Sequence, residues 1–129
     1  MNPIEYVASI KNRLLVDALI LDYDVLAERA SEWEGYIRMR VFLSDSSLLD
    51  FSEYLIPAEN GGIEVITYGY QWMDEDKNLI RRWDNTPHFP KLKNFPHHIH
   101  DGATGQVTPG KALDIFAVLD EIAGRLGRE

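Results

Sequence analysis

The sequence predicts an α+β fold: an antiparallel meander of about five strands, a helix at each end packed on the sheet, and a long Pro/His-rich loop before the last helix. Three observations carry that prediction. Apolar residues recur at helical spacing near the two ends of the chain. Between residues 19 and 83 the apolar period is two, broken by short polar turns. Residues 84–108 follow neither period. At 129 residues the chain suits one domain, 1–129, large enough to bury a core.

Each element has a local reason. Asn2-Pro3 reads as N-cap and first helical position, and Ile4, Val7 and Leu14 share one face of a helix over 3–15. From Leu19 the pattern alternates: Leu19, Leu21, Tyr23 and Val25 against Asp22, Asp24 and Glu28. YIRMRVFL (36–43) sets Ile37, Met39, Val41 and Leu43 against Arg38 and Arg40, read as the wet face of that strand. LLDFSEYLI (48–56), IEVITYGYQWM (63–73) and LIRRW (79–83) follow as third, fourth and fifth strands, joined by turns at 44–47, 57–62 and 74–78. Short turns between successive strands favour an antiparallel meander. Thr108-Pro109 reads as the start of the closing helix, about 109–125, with Leu113, Phe116 and Leu119 on its apolar face.

Composition excludes several function classes. There is no cysteine, hence no disulfide framework and no thiolate metal site. No apolar run approaches the ~20 residues that span a bilayer, and the first residues carry charges where a signal peptide would be apolar. A cytoplasmic protein with no membrane partner is expected. The net charge is −8, yet it is segregated. Residues 81–100 sum to +3, leaving −11 for the other 109. The acidic bulk repels nucleic acid in general, since non-specific affinity is mostly phosphate neutralisation, while a local basic patch can still hold phosphates.

That basic stretch, RRWDNTPHFPKLKNFPHHIH (81–100), holds all four histidines and three of the six prolines. The prolines stiffen it, and a long loop without regular structure is usually functional or disordered. Its apolar residues Phe89, Leu92, Phe95 and Ile99 argue for order. Imidazoles beside fixed cations admit three chemistries. One histidine can take a proton from a hydroxyl while another protonates a leaving oxygen, with Arg81, Arg82, Lys91 or Lys93 stabilising a phosphoryl charge. RNA brings its own 2′-hydroxyl, so this route needs no metal. Tyr68, Tyr70 and Trp72 share one strand face and could stack bases, or simply pack the core. Alternatively, His98 and His100, on the same side if the backbone is extended, could bind a metal with His88, Asp84 or Asp101, although the spacing matches no strong zinc motif. A purely structural role, with the rings packing and meeting carbonyls, is the third reading. Glu53 reads as a strand-face charge unless it faces the histidine loop.

The run Tyr68-x-Tyr70-x-Trp72, then Arg82-x-Asp84-Asn85-x-Pro87-His88, then Phe95-Pro96-His97-His98-x-His100 resembles the TumE-like toxin family. The likeness extends coarsely from about residue 18 to the closing helix and includes Glu53-Tyr54. Three positions depart from the family pattern: Phe89 stands where a second histidine is common, Lys91 where an acidic residue is, and Ile99 where a lysine is frequent. The resemblance implies a small cytoplasmic toxin of a type II toxin–antitoxin pair, acting on RNA, with a cognate antitoxin as partner and a homodimer as one option.

Taken together, the expected activity is a metal-independent endoribonuclease without cofactor. Its catalytic candidates are His88, His97, His98, His100, Arg82 and Asp84. Arg81, Asn85, Tyr68, Tyr70, Trp72, Lys91 and Lys93 are the substrate-binding candidates, and no residue is assigned to a metal. The competing expectations are a non-catalytic RNA- or protein-binding module and a metal-dependent nuclease built on the histidines.

Overall fold

The computed structural model describes residues 1–127. Helix α1 spans Pro3–Val16, strands β1 to β5 span Ile20–Ala30, Gly35–Leu43, Leu48–Pro57, Ile63–Met73 and Leu79–Asp84, and β6 and β7 span His98–Asp101 and Val107–Pro109. Helix α2 spans Ile115–Arg125. Among the described residues, the strands form one seven-stranded sheet in sequence order, every neighbouring pair antiparallel. The expected meander is present, but with seven strands rather than about five.

The two additional strands come from the second half of the expected loop. His98–Asp101 pairs with the free edge of β5, from Asp84↔His98 to Arg81↔Asp101, and Val107–Pro109 closes on it as the outer strand. Pro109 is tolerated there because the outer edge of a sheet asks for no N–H. The closing helix therefore starts later than Thr108-Pro109 indicates. Its N-cap is Asp114, whose side chain accepts from the Ala117 N–H at 2.9 Å. At the other end Asn2 is the N-cap expected of it, and it forms a reciprocal capping box with Glu5. In β1 the alternation breaks at Leu21 and Leu26, which have no partner at two register shifts. Such bulges reset the phase of a strand, so Leu21 ends up exposed instead of facing the core.

Both helices lie on one face of the sheet. Tyr6 of α1 meets Phe116 of α2 edge-to-face at 5.8 Å, and Arg13 bonds Asp120 at 2.7 Å. Beneath them pack Ile37, Met39, Val41, Leu49, Phe51, Tyr68, Tyr70, Trp72 and Trp83. At ~25 cal/mol per Å² of apolar surface, each large side chain so buried stabilises the fold by about 2–3 kcal/mol before chain entropy is counted.

One charged residue sits inside this layer. Glu53 on β3 is fully buried. Its carboxyl accepts from Tyr6 Oη at 2.8 Å, Tyr70 Oη at 2.6 Å and the Ile115 N–H at 2.8 Å. It therefore ties α1, β3, β4 and the first turn of α2 together. Burial pushes its pKa up from 4.5 to about 7, against the three donated bonds that favour the charged form.

Below about pH 4.5 both folded and unfolded chains hold this proton, and the stabilising contribution is complete. Between 4.5 and 7 only the folded chain holds it, so stability falls as pH rises. Glu53→Gln abolishes this titration. Urea unfolding should show the wild type losing about 3 kcal/mol relative to the variant across that window. A difference that stays flat with pH would show that Glu53 does not titrate there.

Candidate active site

The pleat of the sheet sorts the motif residues onto two faces, because successive side chains of a strand point to opposite sides. Tyr68, Tyr70, Trp72 and Trp83 face the helices. Gly69, Gln71, Arg82 and Asp84, one residue removed from them, face the side without helices. The register extends this second face into two cross-strand rows. The first reads Arg38–Ser52–Gly69–Asp84–His98 from β2 to β6, and the second Arg40–Asp50–Gln71–Arg82–His100.

The rows converge on Asp84, which is only 3% exposed. Arg82 Nε donates to Asp84 Oδ2 at 2.8 Å, and the Thr86 N–H donates to Oδ1 at 3.0 Å. His98 Nε2 lies 2.9 Å from Oδ1, and His100 Nε2 lies 3.6 Å from Oδ2. Close as it is, the His98 contact is not aligned as a hydrogen bond, and this buried nitrogen has no hydrogen-bond partner among the described residues. The other ring nitrogen, Nδ1, is 2.9 Å from the Pro96 carbonyl. A carbonyl can only accept, so Nδ1 carries the proton.

Burial acts to raise the Asp84 pKa, but the Thr86 N–H, Arg82 and His98 outweigh it and hold the carboxyl below its ordinary value. His100 is shifted down. Burial is the largest cause, Asp84 opposes it, and the neighbouring His98, Arg82 and His88 add to it. A neutral His100 at pH 7, backed by an ionised Asp84, is competent to accept a proton.

Arg82 is held on two of its three nitrogens, since Nη1 donates to Gln71 Oε1 at 3.0 Å. Its Nη2 lies over Gly69, where an added Cβ would come within 2.7 Å of it. The glycine between Tyr68 and Tyr70 thus gives the guanidinium its seat. Phe89 packs edge-on against His98 at 5.0 Å and His100 at 5.9 Å, roofing the histidine pair. His88 is exposed beside it.

The other sequence candidates lie elsewhere. His97 is on the helix-covered side, where its Nδ1 is 2.8 Å from Tyr68 Oη and the two rings stack. Tyr68, Tyr70 and Trp72 are buried. The shared face expected of them is therefore the inner one, and it presents no surface for bases. Arg81 also points inward, over Trp83 and toward Glu121. Asn85 bridges β4 through the Ile66 carbonyl and the Tyr68 N–H, a bracing contact. Lys91 and Lys93 are exposed on the loop. Glu53 faces the helices and not the histidines, and Asp101 binds Thr104. Sequence reasoning missed Gly69 and Gln71, although once the tyrosines are inside, alternation alone directs both at Arg82.

What the cluster could hold follows from its donor set. Asp84, His98 and His100 each offer one ligand atom, all within 4.8 Å of one another, which is compatible with a divalent cation. Against one, the Arg82 guanidinium already neutralises the carboxylate.

A protein-family model described as Toxin TumE matches residues 10–126. The chain belongs to the TumE toxin family. Membership makes it a toxin of a toxin–antitoxin system, with a cognate antitoxin as partner. Comparison with curated proteins and with solved structures gives no match. The TumE match includes every residue of the Asp84 cluster. No helix among the described residues is long and apolar enough to cross a membrane.

The charges around His100 make a signed prediction. Asp84→Asn removes the group that supports the imidazolium and should lower the His100 pKa further. Arg82→Ala removes an opposing cation and should raise it. Histidine NMR titrations of the three proteins read both shifts, and movement in the opposite directions would refute this electrostatic assignment.

Proposed function

We propose that this toxin cleaves RNA without a metal, using the helix-free face of the sheet as its active site. The observation that carries this reading is the direct pairing of Arg82 with His100 on adjacent strands, both backed by the buried carboxylate of Asp84. His100 is the base: its neutral imidazole takes the proton of a ribose 2′-hydroxyl. The freed oxygen attacks the adjacent phosphorus, and the 5′-oxygen of the next nucleotide leaves. His88, on the loop beside Phe89, gives that oxygen a proton in this reading. Arg82, fixed by Asp84 and Gln71 with Nη2 unbonded, meets the charge that builds on the phosphoryl oxygens. His98 is buried beside Asp84 and does not itself reach substrate.

General-base catalysis and phosphoryl charge stabilisation each contribute about 10²–10⁴-fold. His100→Ala and Arg82→Ala should each lower cleavage of a labelled single-stranded RNA by that amount, in the presence of a chelator. The wild type should leave 2′,3′-cyclic phosphate ends, and both variants should stop arresting growth on induction. Two fully toxic variants would reject the assignment, and RNA that is shifted in a gel but never shortened would point to a binding module.

One specific observation favours a second reading, a metal-dependent nuclease. His98 donates Nδ1–H to a backbone carbonyl, as metal-bound histidines commonly do, and leaves its buried Nε2 facing Asp84 and His100. Cleavage abolished by chelation and restored by manganese would establish it in place of the first.

A further inference from the structure

The reactive cluster does not end at β5. Arg82 lies where two concavities meet on the helix-free face, and both share Ser52, Gly69 and Arg82. One, of about 260 Å³, runs toward β2 and adds Tyr36, Arg38 and Gln71. The other, of about 290 Å³, runs toward Asn85 and Thr86. Gly69 keeps their common floor low, because its missing side chain makes room for the Arg82 guanidinium between Ser52 and Asp84.

The two arginines of β2 on this face are not equivalent. Arg40 is neutralised by a bidentate pair with Asp50, at 2.8 and 3.0 Å. Arg38 is exposed and makes no ion pair among the described residues. It stands in the row Arg38–Ser52–Gly69–Asp84–His98, so the free guanidinium and the histidines are joined by one line across the strands. At ~4.8 Å per strand, the backbone at Arg38 lies about 14 Å from that of β5, a span that successive phosphates of one strand can cover. The Ser52 side chain, half-buried between them, supplies a neutral donor.

We propose that Arg38 and Ser52, over the floor of Gly69, form a second subsite for the phosphodiester backbone of single-stranded RNA, one or more nucleotides from the bond at Arg82. The subsite rests on the RNA-cleaving reading of the Asp84 cluster. It explains how an acidic protein holds a polyanion: the acids of this face, Asp50 and Asp84, are paired with Arg40 and Arg82, which leaves the charge of Arg38 uncompensated among the described residues. Lining a groove with a free arginine and a neutral hydroxyl suits a phosphate chain, which is recognised by charge and by hydrogen-bond donors.

The test is fluorescence anisotropy with a labelled eight-residue 2′-O-methyl RNA, which lacks the attacking hydroxyl and so reports binding alone. Arg38→Ala should weaken binding about tenfold at low salt. It should also flatten the slope of log K against log salt by about 0.7, the value of one single-strand phosphate contact. Arg125→Ala, which removes the same charge from α2 on the opposite side, should stay within twofold of wild type. Equal affinity and slope for Arg38→Ala would overturn the subsite. So would an oligoglutamate peptide that binds the groove while the RNA does not. Cleavage of the unmodified RNA is read in parallel. Binding that depends on Arg38 without cleavage sinks the catalytic reading alone, and cleavage without that dependence sinks the subsite alone.

Discussion

Everything at the candidate site depends on the pleat of three neighbouring strands, β4, β5 and β6. Antiparallel pairing fixes which residues stand opposite one another, and the two-residue period fixes the face. Once Tyr68, Tyr70, Trp72 and Trp83 are drawn beneath the helices, the residues between them have no choice. Gly69, Gln71, Arg82 and Asp84 must project to the other side, and the pairing of Asp84 with His98 and Arg82 with His100 completes the cluster. A slip of one residue would bury the arginine and expose the tryptophan. The aromatic core is thus the device that holds the polar site in register.

The same separation divides the two buried carboxylates into different roles. Glu53, on the helix side, receives only neutral donors from two tyrosines and a helix terminus. With no cation to compensate its burial, its pKa rises. Asp84, on the other side, has Arg82, two histidines and a backbone N–H around it, and its pKa falls. One carboxylate therefore braces the fold and the other organises charge. Burial is deeper at Glu53, and a cation stands only beside Asp84, so burial and neighbours together separate the two.

Much of this could be read from the chain. The helix at 3–15 and the strands between 36 and 83 follow from period and turn residues, and the Arg82-to-His100 motif contains Asp84, His98 and His100 among its candidates. Two things could not be read locally. The strands at 98–101 and 107–109 are too short to signal themselves, and they form where β5 offers an open edge. The sense of each face was also hidden. Tyr68, Tyr70 and Trp72 do share a side, but only the docking of α1 and α2 makes it the inner one. Arg38 looked like an ordinary solvated charge because its alignment with Ser52, Gly69 and Asp84 exists only across strands. His97 and His98, adjacent in sequence, part company for the same reason.

The proposed reactive surface is the helix-free face of the sheet between β2 and β6. The most direct measurement is an NMR titration of the protein with an uncleavable 2′-O-methyl RNA, following backbone amides and histidine side chains together. Chemical-shift changes should concentrate at Arg38, Ser52, Gly69, Gln71, Arg82 and His100 and leave α1 and α2 still. Changes gathered on the helices, or around His97 and Arg81 on the covered side, would contradict the assignment of this face.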